Sequence, residues 1–102
     1  MLESTILNIL TAYRINLCSE KNHTEKEREI ILKRISECQN FLNNGSEVNE
    51  KWMTENYSIL SKAVKNCYCT AYLEECGEEE RQDLNKCMTF YKVFYEKMGI
   101  DF

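Results

Sequence analysis

The chain has 102 residues, which is enough for one hydrophobic core, and its 43% hydrophobic and 29% charged residues are typical of a folded domain. Proline is absent and glycine occurs three times, which argues against a β-rich fold with its many tight turns. The net charge of −4 argues against nucleic acid as a partner, because phosphates require a basic face. We therefore expect a single all-α domain.

Two helices are predicted in the first half of the chain. The first covers residues 3–20, and its core-facing positions are Ile6, Leu10, Tyr13 and Leu17. Thr24 begins the second as its N-cap, with Glu27 completing a capping box. The apolar stripe of this helix consists of Ile30, Ile31, Ile35, Cys38, Phe41 and Leu42. Gly45 suits the left-handed position that follows its end.

Two further helices are predicted in the second half. Asn49 caps the third, whose apolar stripe begins at Met53 and continues to about Cys76. Because this stretch is long, a kink or break is expected near residues 67–70, and Gly77 is expected to end the helix. The fourth begins with three glutamates and ends at Gly99. Its predicted core face is Leu84, Met88, Tyr91, Tyr95 and Met98.

A repeated motif suggests an internal duplication. The segment Thr11-Ala12-Tyr13 recurs as Thr70-Ala71-Tyr72, and each copy precedes a Glu-rich helix start, at Glu25 and at Glu78. Two unrelated amphipathic helices can also match in this way, since all share one period. If the duplication is real, residues 1–45 and 46–102 form two helix-turn-helix motifs. A groove would then lie along the seam between them.

Cysteine content is the most distinctive feature of the sequence. The six cysteines are Cys18, Cys38, Cys67, Cys69, Cys76 and Cys87. Free cysteines often serve as small core residues, and Cys38, Cys67, Cys87 and also Cys69 fit this interpretation. A disulfide is the alternative, for which Cys18 with Cys38 or Cys76 are the candidate pairs. The spacing departs from zinc patterns, so neither a metal nor another cofactor is expected.

Several observations favour a binding function over catalysis. The sequence has no phosphate-binding loop, nucleophile elbow or zinc-protease motif, and His23 is its only histidine. It has no signal peptide or membrane span, so an intracellular protein that avoids membranes is expected. Aromatic residues exceed the needs of one core stripe, although core packing can also explain them. The predicted partner-binding residues are Tyr68, Tyr72, Phe90 and Phe94.

We therefore predict a non-enzymatic module that binds a protein or peptide. Formation of a homo-oligomer is a further option. One alternative is a DNA-binding regulator that uses Lys26, Arg28, Lys33 and Arg34, although glutamates interleave with these residues. Another alternative is a secreted, disulfide-bonded helical ligand. The triplet Asn56-Tyr57-Ser58 has the pattern of a glycosylation site, but it falls inside a predicted helix.

In size, in its cysteine-rich helical composition and in its doubled Thr-Ala-Tyr segment, the chain resembles the small orphan proteins of filamentous viruses that infect hyperthermophilic archaea, of the Acidianus filamentous virus type. The resemblance implies expression inside an archaeal host cell, where intracellular disulfides are permitted. It implies no catalytic residues.

Overall fold

Helices are the only regular elements in the described residues of this computed structural model, which are 2–19, 21 and 23–102. This confirms the predicted all-α class. None of the described helices is both long and apolar enough to cross a membrane. In chain order the six helices are α1 (Leu2–Ser19), α2 (Glu25–Asn43), α3 (Glu50–Glu55), α4 (Tyr57–Tyr68), α5 (Tyr72–Glu75) and α6 (Glu78–Met98).

Local sequence determines most of the helix ends. The Thr24 side chain accepts a hydrogen bond from the Glu27 backbone N–H, and the Asn49 side chain accepts one from Trp52, so both predicted N-caps are confirmed. Gly45 and Gly99 have φ of 80° and 73°. A residue with a side chain would be strained in this left-handed conformation, which glycine adopts readily at the end of a helix.

The third predicted helix is divided into three pieces. A first break lies at Asn56, between α3 and α4, and was not predicted. A second break covers residues 69–71, close to the expected position. Gly77 does not end the preceding helix as predicted, because α5 already ends at Glu75. Gly77 instead has the extended backbone of an N-cap at the start of α6.

The core forms around α1, which packs against α2, α4 and α6. Asn16 near the end of α1 donates a hydrogen bond to Asn66 near the end of α4. On the side of α1 that faces α6, the Thr5 hydroxyl donates to the buried carboxylate of Asp83 at 2.9 Å. Side chains that are almost completely buried include Ile6, Ile9, Leu10, Leu17, Ile35, Leu60, Val64, Cys67, Leu84 and Tyr91.

Most of the predicted core positions are confirmed, and a few are wrong. All four predicted residues of α1 are buried. In contrast, Met98 is 40% exposed because the packed part of α6 ends before it, and Ile30 is 58% exposed. Asp83 also takes up a core position of α6, which was not predicted.

The two Thr-Ala-Tyr segments differ in conformation. Residues 11–13 lie inside the continuous helix α1, whereas residues 70–72 cross the break between α4 and α5. The Glu-rich segments do begin helices, at Glu25 and Glu78. Internal duplication therefore stays a prediction, which rests on the helix starts more than on the Thr-Ala-Tyr segments.

Candidate functional site

An open groove runs between α3 and α6, and we name it the α3–α6 groove. Its volume is about 390 Å³, within the range of ordinary ligand pockets. The residues that line it are Glu50, Thr54, Thr89, Phe90, Val93, Phe94 and Lys97. Two of the four predicted partner-binding residues, Phe90 and Phe94, therefore lie on a shared concave surface.

Contacts with the core hold these two phenylalanines in place. Their rings are nearly parallel, at an interplanar angle of 6° with centroids 6.4 Å apart. Phe90 packs edge-on against buried Tyr91 at 5.1 Å, and Phe94 packs on Tyr57 at 5.2 Å. Val93 lies on the same wall and is 45% exposed. The groove thus has a rigid, apolar wall that solvent reaches.

The register of α6 explains this arrangement. Phe90 and Phe94 are one turn apart and flank the stripe that contains Tyr91, so each ring is half in the core and half in the groove. The Tyr91 hydroxyl donates a hydrogen bond to the Met53 carbonyl at 2.9 Å. This buried bond ties α3 to α6 and fixes the spacing of the two walls.

Opposite charges lie on the two walls. Glu50 belongs to the α3 wall and Lys97 to the α6 wall. Among the described residues, neither has an ion-pair partner within 4.0 Å. The apolar floor is therefore bordered by one unpaired carboxylate and one unpaired ammonium group.

The two predicted tyrosines lie elsewhere. The Tyr68 hydroxyl donates to Asn85 at 2.6 Å, and the Tyr72 hydroxyl donates to Glu80 at 2.7 Å. Asn85 and Phe90 line a neighbouring depression together, but neither tyrosine lines the α3–α6 groove. Burial and then the Glu80 carboxylate raise the pKa of Tyr72, so its hydroxyl remains a hydrogen-bond donor. The four aromatic residues do not form one groove.

A second, smaller cavity lies where α1 passes the break between α4 and α5. Its volume is about 240 Å³. It is lined by Ala12, Ile15, Asn16, Thr70, Ala71, Tyr72 and Glu75. Both Thr-Ala-Tyr segments contribute to it, so the seam expected from the duplication does contain a depression, and Tyr72 belongs to this cavity.

The cysteines separate into core and surface groups. Cys38, Cys67 and Cys87 are buried, as predicted, whereas Cys69 is exposed and is not a core residue. Burial raises the pKa of Cys67 and of Cys87 to about 12, which keeps both as neutral thiols near pH 7. All six cysteines are free thiols in the structure.

Pairing of Cys18 with Cys38 therefore stays a prediction. Cys18 is exposed, and Cys38 is buried in the core. A count of free thiols in denaturant distinguishes the bridged from the unbridged chain. Among the described residues, no cluster of three or more histidine, cysteine or acidic side chains could hold a metal ion.

The basic surface of α2 is partly engaged within the chain. Arg34 donates to Glu37 at 2.9 Å and to Asn56 at 2.8 Å. Arg28 donates to the His23 carbonyl at 3.4 Å. Two of the four basic residues considered for DNA binding thus already have partners, which weakens that alternative.

Sequence reasoning missed Glu50, Thr54, Thr89, Val93 and Lys97. A signal for the α6 members was present, because Val93 and Lys97 follow Phe90 at spacings of three and seven, on the face beside the core stripe. The α3 members had no comparable signal, since their position depends on the break at Asn56.

Comparisons with protein-family models, with curated proteins and with solved structures found no match for the chain. The site is therefore interpreted from its own residues and their geometry.

Proposed function

We propose that this chain is a non-enzymatic protein–protein interaction module whose binding surface is the α3–α6 groove. The observation that carries the proposal is the parallel Phe90–Phe94 pair on an open concave wall, beside an exposed Val93. Rigid aromatic residues of this kind contribute most of the binding energy in many interfaces.

The shape of the groove favours a helical partner. Peptide helices bind grooves by inserting apolar side chains spaced three or four residues apart. A groove of about 390 Å³ between two helices accommodates such anchors, and the flanking charges can orient the bound segment. The predicted partner sites at Tyr68 and Tyr72 are not part of this proposal, because both hydroxyls are hydrogen-bonded to α6.

The chemistry of the lining supports binding more than catalysis. The groove offers one carboxylate, one ammonium group and two threonine hydroxyls, and the charged groups lie on separate walls. Acyl or phosphoryl transfer would use a nucleophile beside a base. An intracellular location is in keeping with the six thiols that are free in the structure.

A selection from a displayed library of helical peptides tests the proposal. We expect the selected peptides to carry apolar residues at helical spacing and to bind the Val93→Asp variant at least about tenfold more weakly than the wild type, because the new carboxylate must be desolvated. Ile30→Asp is the matched control, since Ile30 is also an exposed aliphatic residue but lies on α2.

Binding that is equal in the Val93→Asp variant and the wild type would contradict the proposal, as would a similar loss in the Ile30→Asp control. Circular dichroism of both variants verifies that the fold is retained.

A further inference from the structure

We propose that the partner which fits the α3–α6 groove is a second copy of this chain, docked around a two-fold axis so that the α6 wall of each copy enters the groove of the other. This inference rests on the proposed function and specifies its partner.

The first argument is the charge pattern of the groove. Glu50 and Lys97 have opposite signs, lie on opposite walls and are unpaired among the described residues. A two-fold axis that runs along the groove exchanges its walls, so the α3 wall of one copy faces the α6 wall of the other. This arrangement brings Glu50 toward the wall that carries Lys97 of the partner subunit, and the symmetry repeats the same approach a second time.

The second argument is the location of exposed apolar side chains. Val93 lines the groove and is 45% exposed, and the half-buried rings of Phe90 and Phe94 lie on the same wall. Docking of a second copy would bury an apolar centre and leave the charges at its border, which is the usual organisation of a protein interface.

Self-complementarity is the reason to prefer a second copy over another protein. A single surface already presents the apolar floor, the acid on one wall and the base on the other. A copy of that surface satisfies all three features at once, whereas a different partner would have to reproduce them independently.

Exchange of the two charges provides a direct test. Sedimentation measurements would cover concentrations from about 1 µM to about 1 mM, the range between stable and transient association. We expect the wild type to dimerise, and we expect Glu50→Lys and Lys97→Glu each to weaken the dimer about tenfold or more, because each introduces two like-charge contacts. The combined variant exchanges the charges, and we expect it to restore most of the lost affinity.

Two further variants complete the design. Lys92→Glu makes the same charge change on an exposed position of α6 that does not line the groove, so it controls for net charge. Val93→Asp removes the apolar centre and should give a monomer.

Three results would overturn the inference: a wild type that stays monomeric throughout, a dimer that Val93→Asp leaves intact, or a combined variant no tighter than the single ones. A monomer that still binds groove-directed peptides would refute self-association alone. A chain with neither property would refute the proposed function as well.

Discussion

Tyr91 joins two parts of the chain that are 38 residues apart in sequence. Its ring is fully buried beside Phe90, and its hydroxyl donates to the carbonyl of Met53. Met53 lies just before the break between α3 and α4, where the regular helical bonding pattern is interrupted. The tyrosine hydroxyl therefore satisfies a backbone acceptor that the break leaves available.

We expect Tyr91→Phe to destabilise the protein by about 1–3 kcal/mol, because a buried carbonyl loses its donor while the ring is retained. Tyr68→Phe is the matched control, since its hydrogen bond to Asn85 is exposed and water can replace it. Urea unfolding of the two variants measures the difference. Equal losses would mean that the buried bond has no special role.

At the scale of elements, Asn56 stabilises the break between α3 and α4. Its amide nitrogen donates to the Trp52 carbonyl at 2.9 Å. Its amide oxygen accepts from Arg34 at 2.8 Å and from the Cys38 thiol at 3.7 Å. One side chain thus caps the end of α3 and connects it to α2. Since both ends of the amide are engaged in the half-buried break, Asn56 is also a poor substrate for glycosylation.

We expect Asn56→Ala to cost about 1–3 kcal/mol of stability, since it removes hydrogen bonds on both sides of the break. Asn40→Ala, at an exposed position of α2, serves as the control and should change stability by less than about 0.5 kcal/mol. Thermal or urea unfolding provides the comparison. An Asn56→Ala variant as stable as the control would exclude a structural role for this amide.

The helix ends and the break between α3 and α4 show which features could be predicted from the sequence and which could not. The caps at Thr24 and Asn49 and the turn at Gly99 depend on residues within a few positions, so local pattern was sufficient. No glycine or proline in the sequence marks the break at Asn56. It depends on Arg34, which approaches from another helix, and a local pattern does not contain that information.

For the whole molecule, burial of neutral thiols makes stability sensitive to alkaline pH. Desolvation raises the pKa of Cys67 and of Cys87 from 9.0 to about 12, and it also raises the pKa of Tyr91. A group whose pKa is higher in the folded state favours folding below its unfolded pKa. That contribution is lost as the pH rises through the interval between the two values.

We therefore expect the free energy of unfolding to fall between pH 9 and pH 12, by about 2 kcal/mol per buried thiol at about pH 10.5. In Cys87→Ala the fall should be smaller than in the wild type, whereas Cys18→Ala, at an exposed position, should leave it unchanged. Urea unfolding under reducing conditions across this range tests the expectation. An equal fall of the unfolding free energy with pH in Cys87→Ala and in the wild type would refute this expectation.

The candidate groove was predictable only in part, for a reason that concerns the whole molecule. The aromatic excess on α6 pointed to Phe90 and Phe94, which do line a groove, but this groove lies within residues 46–102 and not along the expected seam between the two motifs. Tyr68 and Tyr72 had a similar pattern, but their hydroxyls bond to Asn85 and Glu80, outside the groove. Helical spacing specifies the face of a single helix, whereas the neighbour that covers this face is decided by the packing of all helices together.

The central position of α1 has a consequence for biosynthesis. Residues 2–19 are synthesised before α4 and α6, yet their apolar side chains pack against both of these helices. Until α6 has emerged, the nascent chain can form the local α1–α2 hairpin but cannot cover Ile6, Leu10 or Leu17 on every side. Synthesis of α6 is therefore the step that completes the core. Nascent chains that still lack α6 expose an apolar surface of the kind that chaperones recognise.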